Sequence, residues 1–386
     1  SSIDGPARAA ERAAAAAVAA AAAPGRVGER LLTQGLARLQ RALPYTVAAD
    51  GGHASRSPQA ALELLFDLLT LDQALSDLGL AAPDERMRAI DRLAGALRFF
   101  TLGDGALPAF QGGDELSAPY VAAARRSDDV DRPIPTSRNG YHRLEGRSLQ
   151  VMVDVAAPSA AAWSVAACAQ PAAVEILANG RRLIVNCGWS PDAVGPPALR
   201  LAAAGSTATL GDMSCGEPLR GFVADHLGPR LAGAYEAVTA HRHETEDGRW
   251  LEVSHDGWMA RFGLRHRRRL YIDTAPDELR GEDRFVPIGS MERNQSPRQF
   301  VPFIVRFHVH PDVQVTLAQD RHSVLLRAGA SDSGWWLRND AGEVEIEPSV
   351  HFHEGQARRT SQIVLRGQVR VETGAKIRWK LVGAEA

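Results

Sequence analysis

The sequence predicts an α+β, multidomain chain: N-terminal helical hairpins followed by a large antiparallel β-sandwich. Three observations carry that expectation. Up to about residue 105 apolar residues recur every three or four positions, the period of an amphipathic helix; beyond it they alternate, the period of a half-buried strand. The alternating stretches are separated by glycine-containing turn signals with almost no helical pattern between them, which favours a sandwich over α/β layering. Finally, 386 residues are too many for one ordinary core.

The first helix is expected over 6–22, an alanine-rich run closed by Pro24-Gly25. Its apolar stretch, 13–23, is shorter than the roughly 18–20 residues a membrane span needs. Arg8, Glu11 and Arg12 ahead of it suit a packed helix better than an export signal. A second helix follows over 26–43, where Leu32, Leu36, Leu39 and Leu43 share a face. Ser57-Pro58 starts a third, with serine as cap and proline in the first turn, running toward Gly79. A fourth begins at Pro83, with Asp84 and Glu85 where the helix dipole favours anions, and reaches Phe100. Residues 116–136 read as a linker loop between a helical domain (1–115) and a β domain (137–386). Strand alternation is expected in 149–155, 174–185, 234–253, 303–326 and 362–381, with turns at Asn179-Gly180, Asp247-Gly248 and Thr373-Gly374.

Charge is balanced, 44 basic against 46 acidic side chains, for a net −2. A whole-chain nucleic-acid or membrane-surface binder would be visibly basic. Three cysteines without a CxxC pair make neither a disulfide framework nor a cysteine zinc site. Only Lys376 and Lys380 are lysines, so the positive charge is nearly all arginine, whose planar fork suits carboxylate or sulfate. The absence of GxGxxG, Walker, GxSxG and HExxH patterns argues against common nucleotide enzymes, serine hydrolases and zincins.

Three stretches carry candidate chemistry. Residues 50–58, DGGHASRSP, lead into a helix N-terminus, where free N–H groups favour an anion. Asp50 lies in that loop, His53 could move a proton and Arg56 could hold a carboxylate. His308 and His310, two apart on an expected strand, point to one face beside Asp312 and make a low-specificity zinc pair. His255 and Trp258 precede the run Arg267, Arg268, Arg269, which reads as a solvated strand face or the basic lining of a cleft. Trp189 and Trp258 are candidate platforms for sugar rings, although most of the tryptophans should be core.

The residues also carry a resemblance. DGGHASRSPQAALELLFDLL (50–69), LRFFTLGDGALPAFQGG (97–113), LIVNCG (183–188), SHDGWMARFGLRHRRRLYI (254–272), LRGED (279–283), RFHVHPDV (306–313) and EPSVHFHEGQARRTSQIVL (347–365) occur in order. Together they resemble the heparinase II/III-like polysaccharide lyases, in particular their uncharacterised bacterial branch. The resemblance implies an α/α toroid, here incomplete, ahead of the sandwich. It implies β-elimination on a uronic-acid polysaccharide of glycosaminoglycan or alginate type, in which a base takes the C5 proton and an acid protonates the leaving oxygen. It also implies an anionic polysaccharide partner, no required cofactor, a structural zinc in some members, a homodimer as one option, and a periplasmic or cell-envelope location, with the cytoplasm left open.

Four positions depart from the family pattern. Ser55 and Ala60 stand where a glutamate and the catalytic tyrosine are expected, and Cys168 and Gly205 stand where histidines are. The catalytic candidates are therefore His53, His255 and Tyr45. The substrate-binding candidates are Arg56, Asp50, Trp189, Trp258 and Arg267, and the metal candidates are His308 and His310. The alternative is a catalytically degenerate carbohydrate-binding or envelope protein. The catalytic proposal requires His53 and His255 to face one cleft.

Overall fold

The computed structural model describes residues 5–81, 84–126, 133–191, 197–288, 299–329 and 334–384. Four helices open the chain: α1 (Ala9–Ala21), α2 (Gly25–Thr46), α3 (Pro58–Asp77) and α4 (Asp84–Phe100). The alanine run is α1, with Ala10, Ala13, Ala14, Ala17 and Ala20 buried along one face. Small residues are required there because α2 approaches closely: a Cβ on Gly35 would lie 3.1 Å from the Ala17 Cα. Ser57 caps α3 as expected, its hydroxyl accepting from the Ala60 N–H at 3.2 Å. The expected helix start at Pro83 lies outside the described residues.

Within the expected linker the chain forms one more helix, α5 (Ala118–Arg125), after Ser117 and with Pro119 in its first turn. The surrounding glycines and prolines obscure that short helix in the sequence. None of the described helices is long and apolar enough to cross a membrane.

The β region is two large antiparallel sheets. The nine-stranded sheet runs in the order Ser137–Arg138, Tyr141–Glu145, Leu149–Asp154, Val174–Ala178, Arg181–Val185, Phe300–Val309, Gln356–Arg370, Glu343–His353, with Ala208–Leu210 added beside Phe300–Val309. The eight-stranded sheet runs Gln314–Leu317, Val324–Arg327, Trp335–Asn339, Ala375–Gly383, Glu278–Pro287, Leu264–Asp273, Gly248–His255, Val238–Glu244. Asn179 and Gly180 both adopt positive φ, 51° and 69°, as the tight hairpin turn between two of the strands demands.

One apolar core lies between the sheets, built from residues such as Val151, Ile176, Leu251, Leu270, Phe307 and Leu381. A second core seats the helices on the other face of the nine-stranded sheet, where Leu65, Phe99 and Phe110 meet Tyr141, Met152 and Leu177. The molecule is thus three layers: helices, nine-stranded sheet, eight-stranded sheet. The 50–57 loop and the 101–117 segment sit where helices meet sandwich, and both candidate centres form there.

Candidate functional site

The loop 50–57 is fixed from both ends. The Asp50 carboxylate accepts from the N–H groups of Gly52 at 2.9 Å and Asn139 at 2.7 Å, tying the loop to the sandwich. Arg56 takes a positive φ of 64° and turns its guanidinium inward. That group pairs with Asp154 at 2.5 Å and donates to the carbonyls of Asn139, Gly140, Ala156 and Ala157. Every face of the fork is used, so Arg56 is not a clamp for a ligand carboxylate. It is the staple that holds the loop on the sandwich.

His53 is 2% exposed and borders a cleft of about 540 Å³. Its Nδ1 lies 2.6 Å from the Ser55 hydroxyl, its Nε2 lies 3.3 Å from Glu11 of α1, and its ring meets the edge of Trp163 at 5.5 Å. Burial pushes the Glu11 carboxyl up, but the hydrogen bond and charge of His53 outweigh it and hold the group below its ordinary range. Trp189 also borders the cleft, with Arg200 over its ring at 5.1 Å. Ser55 and Ala60, two of the departing positions, line it, and none of the five tyrosines does. Tyr45 is 80% exposed at the end of α2 and lies outside the cleft lining.

His255 is not in this cleft. It is buried in the sandwich core within a closed chain of hydrogen bonds. The Gly257 N–H donates to its Nδ1 at 3.2 Å, its Nε2 reaches His266 Nδ1 at 2.9 Å, and His266 Nε2 reaches Asp283 at 2.9 Å. Asp283 also accepts from Arg268 at 2.7 Å and from the Trp379 indole at 3.0 Å. Burial, then the neighbouring His266 and Arg268, hold His255 well below the ordinary imidazole value. Burial alone would raise Asp283, but Arg268 and His266 keep it well below the carboxylate range. A neutral, fully partnered histidine cannot exchange protons with a substrate it does not meet. Trp258 is likewise fully buried core, and Arg267 lies on the outer sheet face beside Glu252 at 3.4 Å. The expected shared cleft for His53 and His255 does not form.

A second centre lies where α5 leaves the sandwich. Glu115 sits among three histidines: His351 Nε2 at 2.9 Å, His353 Nδ1 at 3.1 Å and His310 Nε2 at 3.5 Å. One ligand atom from each of Glu115, His310 and His351 falls within 4.8 Å of the others. The tautomer of His351 is informative. Its Nδ1 faces the Asn186 carbonyl at 2.8 Å and must donate to it. In a neutral ring Nε2 would then aim a lone pair at the Glu115 carboxylate, so a proton or a cation must lie between them. A carbonyl orienting the far nitrogen is the arrangement metal-binding imidazoles use. Burial raises the Glu115 carboxyl, while His310, His351 and Arg182 outweigh it and keep the group ionised far below its ordinary value. Two imidazoles and a carboxylate fit zinc, and a cavity of about 280 Å³ reaches Glu115, His310 and His353.

His308 is outside that set. Its Nε2 donates to the Ala203 carbonyl at 3.0 Å and its Nδ1 lies 2.7 Å from the Ser349 hydroxyl, so neither nitrogen is free. Burial lowers it to about 4 despite the Ala203 bond. Of the two expected histidines, only His310 joins the cluster. Glu115, His351 and Glu11 carry no site pattern of their own in the sequence, although His351-Phe352-His353 repeats the same-face spacing of 308 and 310. The departures at Gly205 and Cys168 have a packing basis. A Cβ at Gly205 would come within 3.0 Å of the Gln170 side chain, and Cys168 is buried with its N–H on Gln111.

With fold and sites in place, the family model for the heparinase II/III-like C-terminal region matches residues 134–380. The chain belongs to the heparinase II/III-like family. This heparinase II/III-like chain superposes on the crystal structure of heparinase III with a TM-score of 0.72 and 13% identity, over 97% of this chain and 61% of that one. Heparan sulfate lyase HepC from Pedobacter heparinus gives a TM-score of 0.66 and 13% identity, over 98% and 60%. These likenesses show the heparinase fold. In sequence the chain is 50% identical to FtsZ-localized protein C of Caulobacter vibrioides, across 98% of this chain and 66% of that protein. The chain thus spans somewhat under two thirds of the lengths of these relatives.

Proposed function

We propose that this chain is a heparinase-fold protein of the bacterial division site that localises with FtsZ and uses its junction cleft to bind rather than to cleave. The observation that carries this reading is the 50% identity, sustained over 98% of the chain, to a protein named for its localisation with FtsZ. The cleft supports the same reading. No tyrosine borders it, and the arginine nearest His53 in sequence is spent on Asp154 and backbone carbonyls. An elimination that needs a strong base and a neutralised uronate carboxylate therefore lacks both groups in their expected places. The FtsZ link also favours the cytoplasm over the periplasm. A fluorescent fusion followed in dividing cells tests the proposal: a midcell band that disappears on FtsZ depletion is expected, and an evenly dispersed signal would overturn it.

A second reading, lyase action on a uronate polysaccharide, keeps one supporting observation. His53 borders the cleft with Glu11 at 3.3 Å behind it, an imidazole–carboxylate pair able to shuttle a proton. Ultraviolet absorbance of unsaturated uronate products from heparan sulfate, alginate or hyaluronan decides it. A rise abolished by His53→Ala would establish the lyase, and a flat trace with the full protein would remove it. The Glu115, His310 and His351 cluster is proposed as a structural zinc site that pins the 101–117 segment to the sandwich. Elemental analysis of protein purified without chelator should give stoichiometric zinc, lost in His310→Ala; a metal-free wild type would end that assignment.

A further inference from the structure

The outer face of the eight-stranded sheet, turned away from the helices, is strongly basic in a chain whose net charge is only −2. Strand Leu264–Asp273 alternates strictly between inside and outside, so Arg268 is buried on Asp283 while Arg265, Arg267 and Arg269 stand outside. The adjoining strands add Arg280 and Arg284, then Lys376, Arg378 and Lys380, then Arg338. Both lysines of the protein are therefore on this face. Against these nine cations stand five carboxylates: Glu252, Asp273, Glu278 and Glu282 are each engaged by one or more of them, and Asp340 accepts from the Arg378 backbone N–H at 2.7 Å. Among the described residues no carboxylate pairs with Arg265, Arg284, Arg338 or Lys376.

This face is also shaped. A groove of about 550 Å³ crosses it, bordered by Arg280, Arg338, Arg378 and Lys380. At one side Trp250 and Tyr271 stack at 4.2 Å between ring centroids and 27° between planes, and Trp250 is 45% exposed. The arginines beside that pair, Arg269 and Arg280, are already held by carboxylates. Of the unpaired cations Arg338 borders the groove and Arg284 and Lys376 lie farther along the same face, so an extended segment can seat an apolar side chain on the aromatic pair and carboxylates on the cations beyond it. The five interleaved carboxylates, Glu282 and Asp340 among them at the groove itself, disfavour a continuous polyanion, whose closely spaced charges would meet them. Spaced carboxylates on a flexible chain can avoid them, and a concave groove suits a chain better than a flat bilayer surface.

We infer that this face docks an acidic, extended peptide segment of a partner protein, with its carboxylates on the unpaired arginines and an apolar side chain on the Trp250–Tyr271 pair. The inference is independent of the junction cleft and of how that cleft is used. Fluorescence anisotropy of the full chain with a labelled glutamate–serine peptide carrying one central phenylalanine tests it. Saturable binding that weakens as salt rises is expected. The triple reversal Arg284→Glu, Arg338→Glu, Lys376→Glu changes only exposed positions and should weaken binding at least about tenfold. Trp250→Ser should weaken it less and leave the salt slope unchanged, which gives a second reading should the triple variant fold poorly. Equal affinity in wild type and both variants, or no binding of this peptide by the wild type, would overturn the proposal. So would a face that binds phosphatidylglycerol vesicles in a manner lost in the triple variant while ignoring the peptide, because the occupant would then be a membrane.

Discussion

The molecule contains two buried histidine–carboxylate clusters built from the same residue types, and they differ in how completely their atoms are satisfied. In the sandwich, His255, His266 and Asp283 form a closed chain in which every donor meets an acceptor, ended by Arg268 and the Trp379 indole. At the junction, Glu115 faces three imidazoles, and His351 can meet it only with a proton or a cation between them. The first is core that happens to be polar; the second is the cluster proposed above to hold a cation. Residue type does not separate them, whereas tautomer accounting and access through a cavity do.

Breaking the closed cluster should have the largest effect. Asp283→Ala leaves Arg268 charged and uncompensated in the core and should cost about 3–5 kcal/mol in urea unfolding. A loss under about 1 kcal/mol would mean that the cluster is open to water. Arg56→Ala strands Asp154 in the same way, with a loss of about 3 kcal/mol or more. If Arg56 instead weakens ligand binding without changing stability, its place as a staple is wrong.

The junction cluster should respond to metal where the closed one does not. Glu115→Gln should lose about 1–3 kcal/mol, and zinc should raise the melting temperature of the wild type but not of the variant. Equal zinc shifts in both would remove Glu115 from the ligand set. The smallest effect is expected from pH. His255, His266 and His308 are held neutral by burial, below their values in the unfolded chain. The unfolded chain therefore binds more protons as pH falls below about 6.5, and stability present above that pH is lost on the way down. The carboxylates of Glu115 and Asp283, held low in the fold, add their loss only below about pH 4. A denaturation midpoint that rises between pH 7 and 5.5 would contradict this assignment.

Much of the fold was legible because periodicity reports burial directly. The change of period near residue 105 separated helices from strands, and Ser57-Pro58 marked the start of α3, whereas the strand 264–273 that turns Arg268 away from its neighbours was not among the expected alternating stretches. The site was less legible, because partnership is a three-dimensional property. His255 and His53 look alike in sequence, yet one closes a core network and the other borders a cleft. Arg56 reads as an anion clamp until its positive φ turns it onto Asp154. Glu115 and His351, 236 positions apart, meet only because the 101–117 segment crosses the end of the sandwich. The arginine run read as a solvated face or a cleft lining; Arg267 and Arg269 do stand on the outer face, while Arg268, buried on Asp283, fits neither reading.

We propose that a heparinase fold here serves the division site. Imaging a fluorescent fusion of the full chain together with FtsZ through the division cycle tests it most directly. A midcell band that arrives with FtsZ, disperses when FtsZ is depleted and persists in His53→Ala is expected. A signal that is uniform throughout the cycle, or that stays at midcell without FtsZ, would contradict it.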